Sequence, residues 1–470
     1  MKFLVIFFSL STIISCTQNN LPLEEAIKSS TFKQSPPATS PTPPPAGTTS
    51  NGVGLRLHPD NPRFFQDIAT GEAVLAASFF NIVPSDLSHD YNSDLALIKS
   101  HTSRYARIWH LLPWAGTNAI WPWARSSVGG APMGGNKIDF NKWDTQYWTR
   151  MTDALKKATD AKIVSEIMLF ERCGMSPAAF TRWESNAWAS DNNINGLETP
   201  IATADGTPEF YQYKTRPKLR EQQERYIMKM IDETIKYNVI YEIENEHWEN
   251  NDPDFGDHYA QFVKNYMRNK YPTMQRLVSH SSLDDDLELF YNIPSVDIVN
   301  VHFGKEPERR PELLNEYVTS HWGSNKPVNV DEFANDLADP EILRKMSWLI
   351  VSGGGHFHIE DTLPSSKPWE TVDNINQFLA LSRWDFVHSG PNNAVSPSGF
   401  CMIQEGKEYM CYYPSGGAKT FELPAGSYKK TWWDPINGGF VGTVNFQHSS
   451  GVHNLSSPNT KDWVLHITKN

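Results

Sequence analysis

Between about Val53 and about Gly390, strand-like runs alternate with helix-like ones, and no other feature constrains the fold as strongly. Repeated strand–helix units bury both faces of a parallel sheet, so they predict an α/β architecture. The strand-like segments are Ala73 to Phe80 (closed by Asn81), Tyr105 to Trp109, Lys162 to Phe170, a run ending at Glu246, Met274 to Ser279, Val296 to Phe303, Pro327 to Glu332 and His356 to Ile359. Helical patterns fall at Trp143 to Ala158, Leu219 to Tyr237, Tyr259 to Asn269 and Pro340 to Val351. The last stops before Gly353-Gly354-Gly355, as helices with glycine C-caps do. Eight such strands predict one (β/α)8 TIM barrel over residues 53–390, with a long polar and aromatic insertion from Glu171 to Lys218. The pattern is weakest at the first strand and between the second and third.

Different textures flank this region. Residues 1–16 read as a targeting segment: Lys2, an apolar run from Phe3 to Ile14 too short to span a bilayer, then Ser15-Cys16. This ending resembles a bacterial lipobox, which implies lipidation of Cys16 and attachment of the chain to an envelope membrane surface. Residues 17–52 are rich in Pro, Thr and Ser and read as an extended tether. From residue 391 short strands recur between turns such as Glu405-Gly406, Ser415-Gly416-Gly417 and Asn437-Gly438-Gly439, predicting a small antiparallel β-sandwich over 391–470.

The formal net charge of −12 argues against nucleic acid as a partner. The chain has 16 Trp, and indoles stack on the C–H faces of sugar rings, which favours a carbohydrate partner, although single tryptophans also serve as packing. Besides Cys16, the cysteines are Cys173, Cys401 and Cys411. Cys401 and Cys411 flank a hairpin turn, but cross-strand disulfides demand unusual geometry, and the expectation is that both are buried and reduced. No Cys/His spacing reads as a zinc site, no cofactor is called for, and a monomer is expected.

Two strands end in glutamate: Val239-Ile240-Tyr241-Glu242-Ile243-Glu244-Asn245-Glu246 and Pro327-Val328-Asn329-Val330-Asp331-Glu332. Chemistry in a (β/α)8 barrel sits where strands end, and two facing carboxyls there are the equipment for cutting glycosidic bonds. The expected acid/base is Glu246 and the expected nucleophile Glu332. Asn245 is placed to meet a sugar hydroxyl, and Arg107 on the second strand to hold Glu332 ionised. Glu246, near that charge, is expected to keep a proton. Strand alternation should point Asp331 away from Glu332, and Glu242 and Glu244 share the parity of Glu246, so one or both should line the interior, paired with Arg107 or another cation.

These motifs resemble clan A glycoside hydrolases. Tyr241 to Glu246 is similar to the clan's Asn-Glu signature after strand four, and Val328 to Phe333 looks like its strand-seven nucleophile motif. Arg107 falls where the clan has a second-strand arginine, and Val301-His302-Phe303 is similar to its sixth-strand segment. The resemblance implies a retaining glycoside hydrolase acting by double displacement; the expected substrate, which the resemblance does not supply, is a plant or algal poly- or oligosaccharide. The C-terminal stretch, with Trp432-Trp433-Asp434-Pro435 and Asp462-Trp463-Val464-Leu465, resembles a module that follows DUF4038-like barrels and is named for collagen binding, a label from which no such binding is inferred. Departures exist. The clan's sixth-strand tyrosine is replaced by Phe303, leaving His302 as its substitute, and strand eight reads His356-Phe357-His358-Ile359-Glu360 where a tryptophan is common. His356 and His358 are therefore candidate sugar contacts, as are Trp109 and Trp114, which with Trp121 and Trp123 crowd the loop after the second strand. Arg309 and Arg310 fit a solvated loop better than a contact to an acidic sugar. Two rival readings are a glycan-binding surface lipoprotein without catalysis and a metal-dependent hydrolase built on His356, His358 and Glu360.

Overall fold

The computed structural model describes residues 53–112, 115–171, 183–197, 209–246, 254–282, 288–334, 337–360 and 364–470. Cys16, Trp114 and Cys173 lie outside the described residues. The barrel strands are β1 (Ala77–Phe79), β2 (Tyr105–Ile108), β3 (Val164–Glu171), β4 (Val239–Asn245), β5 (Val278–Ser282), β6 (Ile298–Val301), β7 (Val328–Phe333) and β8 (His356–Ile359). They form one eight-stranded sheet in the order β1-β8-β7-β6-β5-β4-β3-β2, with every pair parallel. Just past β1, Ile82 accepts from Trp109 N–H at 3.1 Å and donates to Arg107 carbonyl at 2.9 Å, which draws the ring closed.

The surrounding helices include α1 (Tyr91–Ser100), α2 (Thr145–Asp160), α3 (Pro217–Thr234), α4 (Asp254–Lys270), α5 (Glu312–Ser320), α6 (Pro340–Val351) and α7 (Pro368–Ser382). Local chemistry sets their ends. Asp144 caps α2 by accepting from Tyr147 N–H at 2.8 Å, and the buried face Tyr147, Trp148, Met151, Ala154, Leu155 and Ala158 keeps helical spacing toward the barrel. Asp339 caps α6, whose first residue is proline, and Gly354 leaves the helix at φ +82°. The expected first strand splits in two. Ala73–Val74 joins Phe65–Asp67 and Leu55–Leu57 in a small antiparallel sheet, and only Ala77–Phe79 enters the barrel. That small sheet closes the N-terminal end, where Leu55 and Phe65 pack on Tyr105, Val164, Ile240, Leu277 and Ile298. Between β2 and α2 stands a hairpin, Trp123–Gly129 with Asn136–Trp143.

The C-terminal part is two antiparallel sheets. Glu408–Tyr413, Trp463–Lys469, Gly426–Trp433 and Phe440–His448 belong to the larger, and Ala418–Leu423 pairs with Gly451–Ser456 in the smaller. Phe440–His448 and Gly451–Ser456 carry no apolar alternation in the sequence, because both are mostly exposed. Cys401 and Cys411 are disulfide-bonded, contrary to the expectation of reduced thiols. They are directly opposed across the hairpin, and the Cys401 backbone bonds Asn392 and Asn393 instead of Cys411. The pair is thus the closely spaced kind, with Cα atoms 4.1 Å apart, so the sulfurs meet. The two parts share one apolar core: Met402, Met410, Tyr412, Trp433 and Val464 pack with Trp348, Phe378 and Trp384. Arg344 of α6 grips Asp462 through Nε at 2.9 Å and Nη2 at 3.0 Å, and Trp433 Nε1 donates to Asn374 of α7 at 2.7 Å.

Candidate active site

The barrel interior is polar where such barrels are usually filled with branched aliphatics. Glu166 accepts from the Ser279 hydroxyl and from Asn300 Nδ2 at 3.1 Å. Asn300 Nδ2 also donates to Glu242 Oε1 at 3.0 Å, and Asn329 Nδ2 donates to Asn300 Oδ1 at 3.0 Å. These groups come from the five strands β3 to β7, and through Glu242 the network reaches Arg107 of β2, which is fully buried. Its Nη1 donates to Glu332 Oε1 at 2.6 Å and to Glu360 Oε2 at 2.8 Å. Its Nη2 donates to Glu242 Oε2 at 2.9 Å and Asn245 Oδ1 at 2.7 Å, and its Nε lies 3.4 Å from Asp331 Oδ2. Arg107 thus holds Glu332, and Glu242 with it. Glu244 instead accepts from the Tyr211 hydroxyl.

Both expected catalytic glutamates have left-handed backbones, Glu246 at φ +54° and Glu332 at φ +49°. Such conformations cost a non-glycine residue on the order of 1–3 kcal/mol and persist only where surroundings over-determine them. On β7 a register shift between Asp331 and Phe333 accompanies the turn. A bulge re-aims side chains. Strand alternation therefore fails there: Asp331 and Glu332 both face Arg107 and His302.

His302 stands between the glutamates. Its Nδ1 is 3.2 Å from Glu246 Oε1 and 3.2 Å from Glu332 Oε2, and its Nε2 is 3.1 Å from Asp331 Oδ1. Ligating atoms of Glu246, His302 and Glu332 all lie within 4.8 Å of one another. Burial works against a charged imidazole, but the charges of Glu332 and Asp331 outweigh it and hold His302 protonated well above its ordinary range. In that state the Nδ1 proton lies between the two carboxyls.

Burial pushes Glu332 above the ordinary carboxylate range, while His302 and Arg107 both pull against it toward the ionised form. Burial and the charge of Glu332 drive Glu360 well up. Despite burial, Arg107 and His302 keep Asp331 low. Burial lifts Glu242 to about 7, and burial with the charges of Glu242 and Asp331 lifts Glu166 well up.

The remaining sequence candidates are placed differently. Asn245 accepts from Arg107 through Oδ1 and donates from Nδ2 to Glu171 Oε2 at 2.9 Å, which ties β3 and β4 to the arginine and uses one of the two amide N–H groups. Trp109 is buried against Leu112, Ala119 and Met168, its ring 6.0 Å from the Arg107 guanidinium. Trp123 is sunk in the core, centroids 4.5 Å from Phe140 and 4.9 Å from Trp188, and Trp121 is buried too, so neither forms a platform. His356 is corrected outright. It opens β8 at the opposite end of the barrel, accepting from Ala76 N–H at 2.9 Å and facing Arg63 carbonyl at 2.8 Å. His358 is a satisfied core histidine, with Nδ1 2.9 Å from Ser78 Oγ and Nε2 3.1 Å from Asn81 Oδ1. Burial lowers both rings, to about 4 and about 3, so both are neutral. At ~3.3 Å per strand residue His356 is far from Glu360, and the three do not converge on a metal. Arg309 is exposed and Arg310 lies 3.7 Å from Glu312. Sequence reasoning missed Glu171 as the partner of Asn245 and Glu360 as a partner of Arg107; each stands at or just after a strand end.

This cluster has a measurable signature. Glu166, Glu242 and Glu360 keep protons in the folded protein that the unfolded chain gives up near pH 4.5. The stabilisation they contribute is complete below that pH and is lost as pH rises through the folded values, for Glu242 between 4.5 and about 7. The urea midpoint should therefore fall from pH 5 to pH 7.5, and Glu242→Gln should flatten the change by roughly 2 kcal/mol. A wild-type midpoint that is level or rises across that window contradicts the assignment.

No family model and no curated protein matches the chain. Among solved structures the fold matches one described as a glycoside hydrolase with a TM-score of 0.62 at 12% identity, covering 90% of this chain and 98% of the other. It also matches a glycoside hydrolase family 5 structure from Bacteroides vulgatus ATCC 8482 with a TM-score of 0.61 at 14% identity, covering 90% and 94%. Coverage of that extent exceeds the barrel, so the chain shares with these structures a TIM barrel carrying a β-rich C-terminal part.

Proposed function

We propose that the chain is a retaining glycoside hydrolase. The observation that supports this most is the pair of strand-end glutamates facing each other across His302, one oxygen of each lying within 4.8 Å of the other's. Retaining enzymes keep their carboxyls about 5–5.5 Å apart, whereas inverting ones leave about 6.5–9.5 Å for a water. In this reading Glu246 protonates the leaving oxygen while a Glu332 oxygen bonds to the anomeric carbon and the glycosidic bond breaks. Glu246, now a carboxylate, takes a proton from water, and that water releases the sugar from the Glu332 ester. The His302 imidazolium lies beside the Glu332 carboxylate and takes the place that a hydroxyl would hold beside the nucleophile. The substrate in this reading is a plant or algal poly- or oligosaccharide. From the sequence alone we also infer an envelope anchor at Cys16 with residues 17–52 as tether.

The test is a panel of plant and algal glycans with proton NMR of the first product formed. Release of a sugar whose anomeric configuration matches the substrate is expected. Release with inverted configuration, or no release from any glycan that binds, removes the proposal.

A further inference from the structure

Glu360, which directly follows β8, takes no part in the two-carboxyl chemistry above, yet it is held as closely as the nucleophile. One Arg107 nitrogen, Nη1, serves both: Glu332 Oε1 at 2.6 Å and Glu360 Oε2 at 2.8 Å. Both side chains are shut from solvent, at 7% and 1% exposure. We propose that Glu360 is a positioning residue for Glu332: it aims Arg107 at the nucleophile and, by holding the one proton the two carboxyls share, leaves the negative charge on Glu332. This rests on the reading of Glu332 as the nucleophile.

The argument is geometric first. Two buried carboxyls on one guanidinium nitrogen cannot both ionise cheaply, so they titrate as a pair, and the neighbours decide which keeps the proton. The charged and titratable groups acting on Glu360 are Arg107 from β2, His302 from beyond β6 and Glu332 from β7, while Asp331 of β7 and Glu242 of β4 meet the same guanidinium. Arg107 is common to both carboxyls and does not discriminate between them. His302 does: its Nδ1 lies 3.2 Å from Glu332, while among the described residues no ion pair joins it to Glu360, which feels its charge from farther off, and its pull on Glu332 is larger than the opposing push of either Glu246 or Asp331. The charge therefore settles on Glu332 and the proton on Glu360. The directions agree: Glu360 is driven well up, by burial and by Glu332 itself, and Glu332 less so. The remaining N–H bonds of Arg107, to Glu242 and Asn245, fix its plane, so loss of Glu360 would free the Nη1 edge that meets the nucleophile.

The experiment is a carbon-13 NMR titration of the full chain labelled at glutamate side-chain carboxyls, comparing wild type, Glu360→Gln and Glu332→Gln. Wild type should show a resonance titrating at least about one unit above the ordinary glutamate value, absent from Glu360→Gln, and shifted down by about a unit or more in Glu332→Gln, where the repelling charge is gone. Persistence of that resonance in Glu360→Gln, or no movement in Glu332→Gln, overturns the proposal. This readout needs no turnover, so it stands apart from any failure of the glycosidase reading. With a substrate from the glycan panel, Glu360→Ala should lower kcat about tenfold or more with KM within about threefold, and Glu360→Gln, which still accepts from Arg107, should recover most of the loss. Equal losses in both variants with a matching drop in Tm would reduce Glu360 to a fold support and overturn the proposal too.

Discussion

Glu332→Ala should lower kcat by at least about 10⁴-fold, because a unit of reacting groups loses nearly all its rate when its nucleophile goes. The fold should survive. Arg107 keeps Glu242 and Glu360 at 2.9 and 2.8 Å, and one like charge leaves a crowded set of buried acids. The truncated side chain leaves room for a small anion beside His302. Azide should therefore restore turnover and give a glycosyl azide, the azide attacking from the face that Glu332 occupied, with configuration opposite to that of the substrate. The check is product NMR with and without azide. A variant that keeps more than about 1% of activity, or one that azide leaves unchanged while the protein remains folded, would assign the nucleophile to another residue. Asp331, which faces the same cations, would be the next to replace.

Arg107→Met is the second large effect, and it falls on stability. Methionine keeps much of the volume but removes the cation that meets Glu242, Asp331, Glu332 and Glu360. Removing one member of a buried ion pair costs about 3–5 kcal/mol, because the partner's charge stays buried and unpaired. Here several partners are left. The variant should be unfolded or close to it at pH 7.5 and regain part of its stability near pH 5, where the orphaned carboxyls take up protons. Urea unfolding followed by circular dichroism at both pH values measures this. Stability within about 1 kcal/mol of wild type at pH 7.5 would show that the cluster is not held by Arg107.

Much of this architecture is legible in the chain because it depends on neighbours in sequence. Asp339, Pro340 and the Gly353–Gly355 run bound α6 at Pro340–Val351, and β8 runs from His356 to Ile359, both as the pattern predicts. The glutamates that end β4 and β7 are legible for the same reason: a strand's end is a local event, and in a parallel barrel all such ends share one face. The histidines of β8 are not. His356 and His358 share a parity, but two residues of strand rise separate an end wall of the barrel from its middle, and what each nitrogen meets, Arg63 carbonyl or Asn81, is set by other strands. The exposed strands Phe440–His448 and Gly451–Ser456 escape detection because they bury too little to impose alternation.

By itself the sequence determined the order of strands and helices, the barrel they close into and the two glutamates at its mouth, since periodicity, caps and strand ends are short-range. Only the tertiary structure decided how those glutamates act on each other. The bulge that turns Glu332 beside Asp331 and the His302 bridge form only in the closed barrel, and one shared nitrogen joins Arg107 to Glu332 and Glu360, 225 and 253 positions away. Protonation in such a cluster follows from burial and distance, which exist only once the barrel has closed.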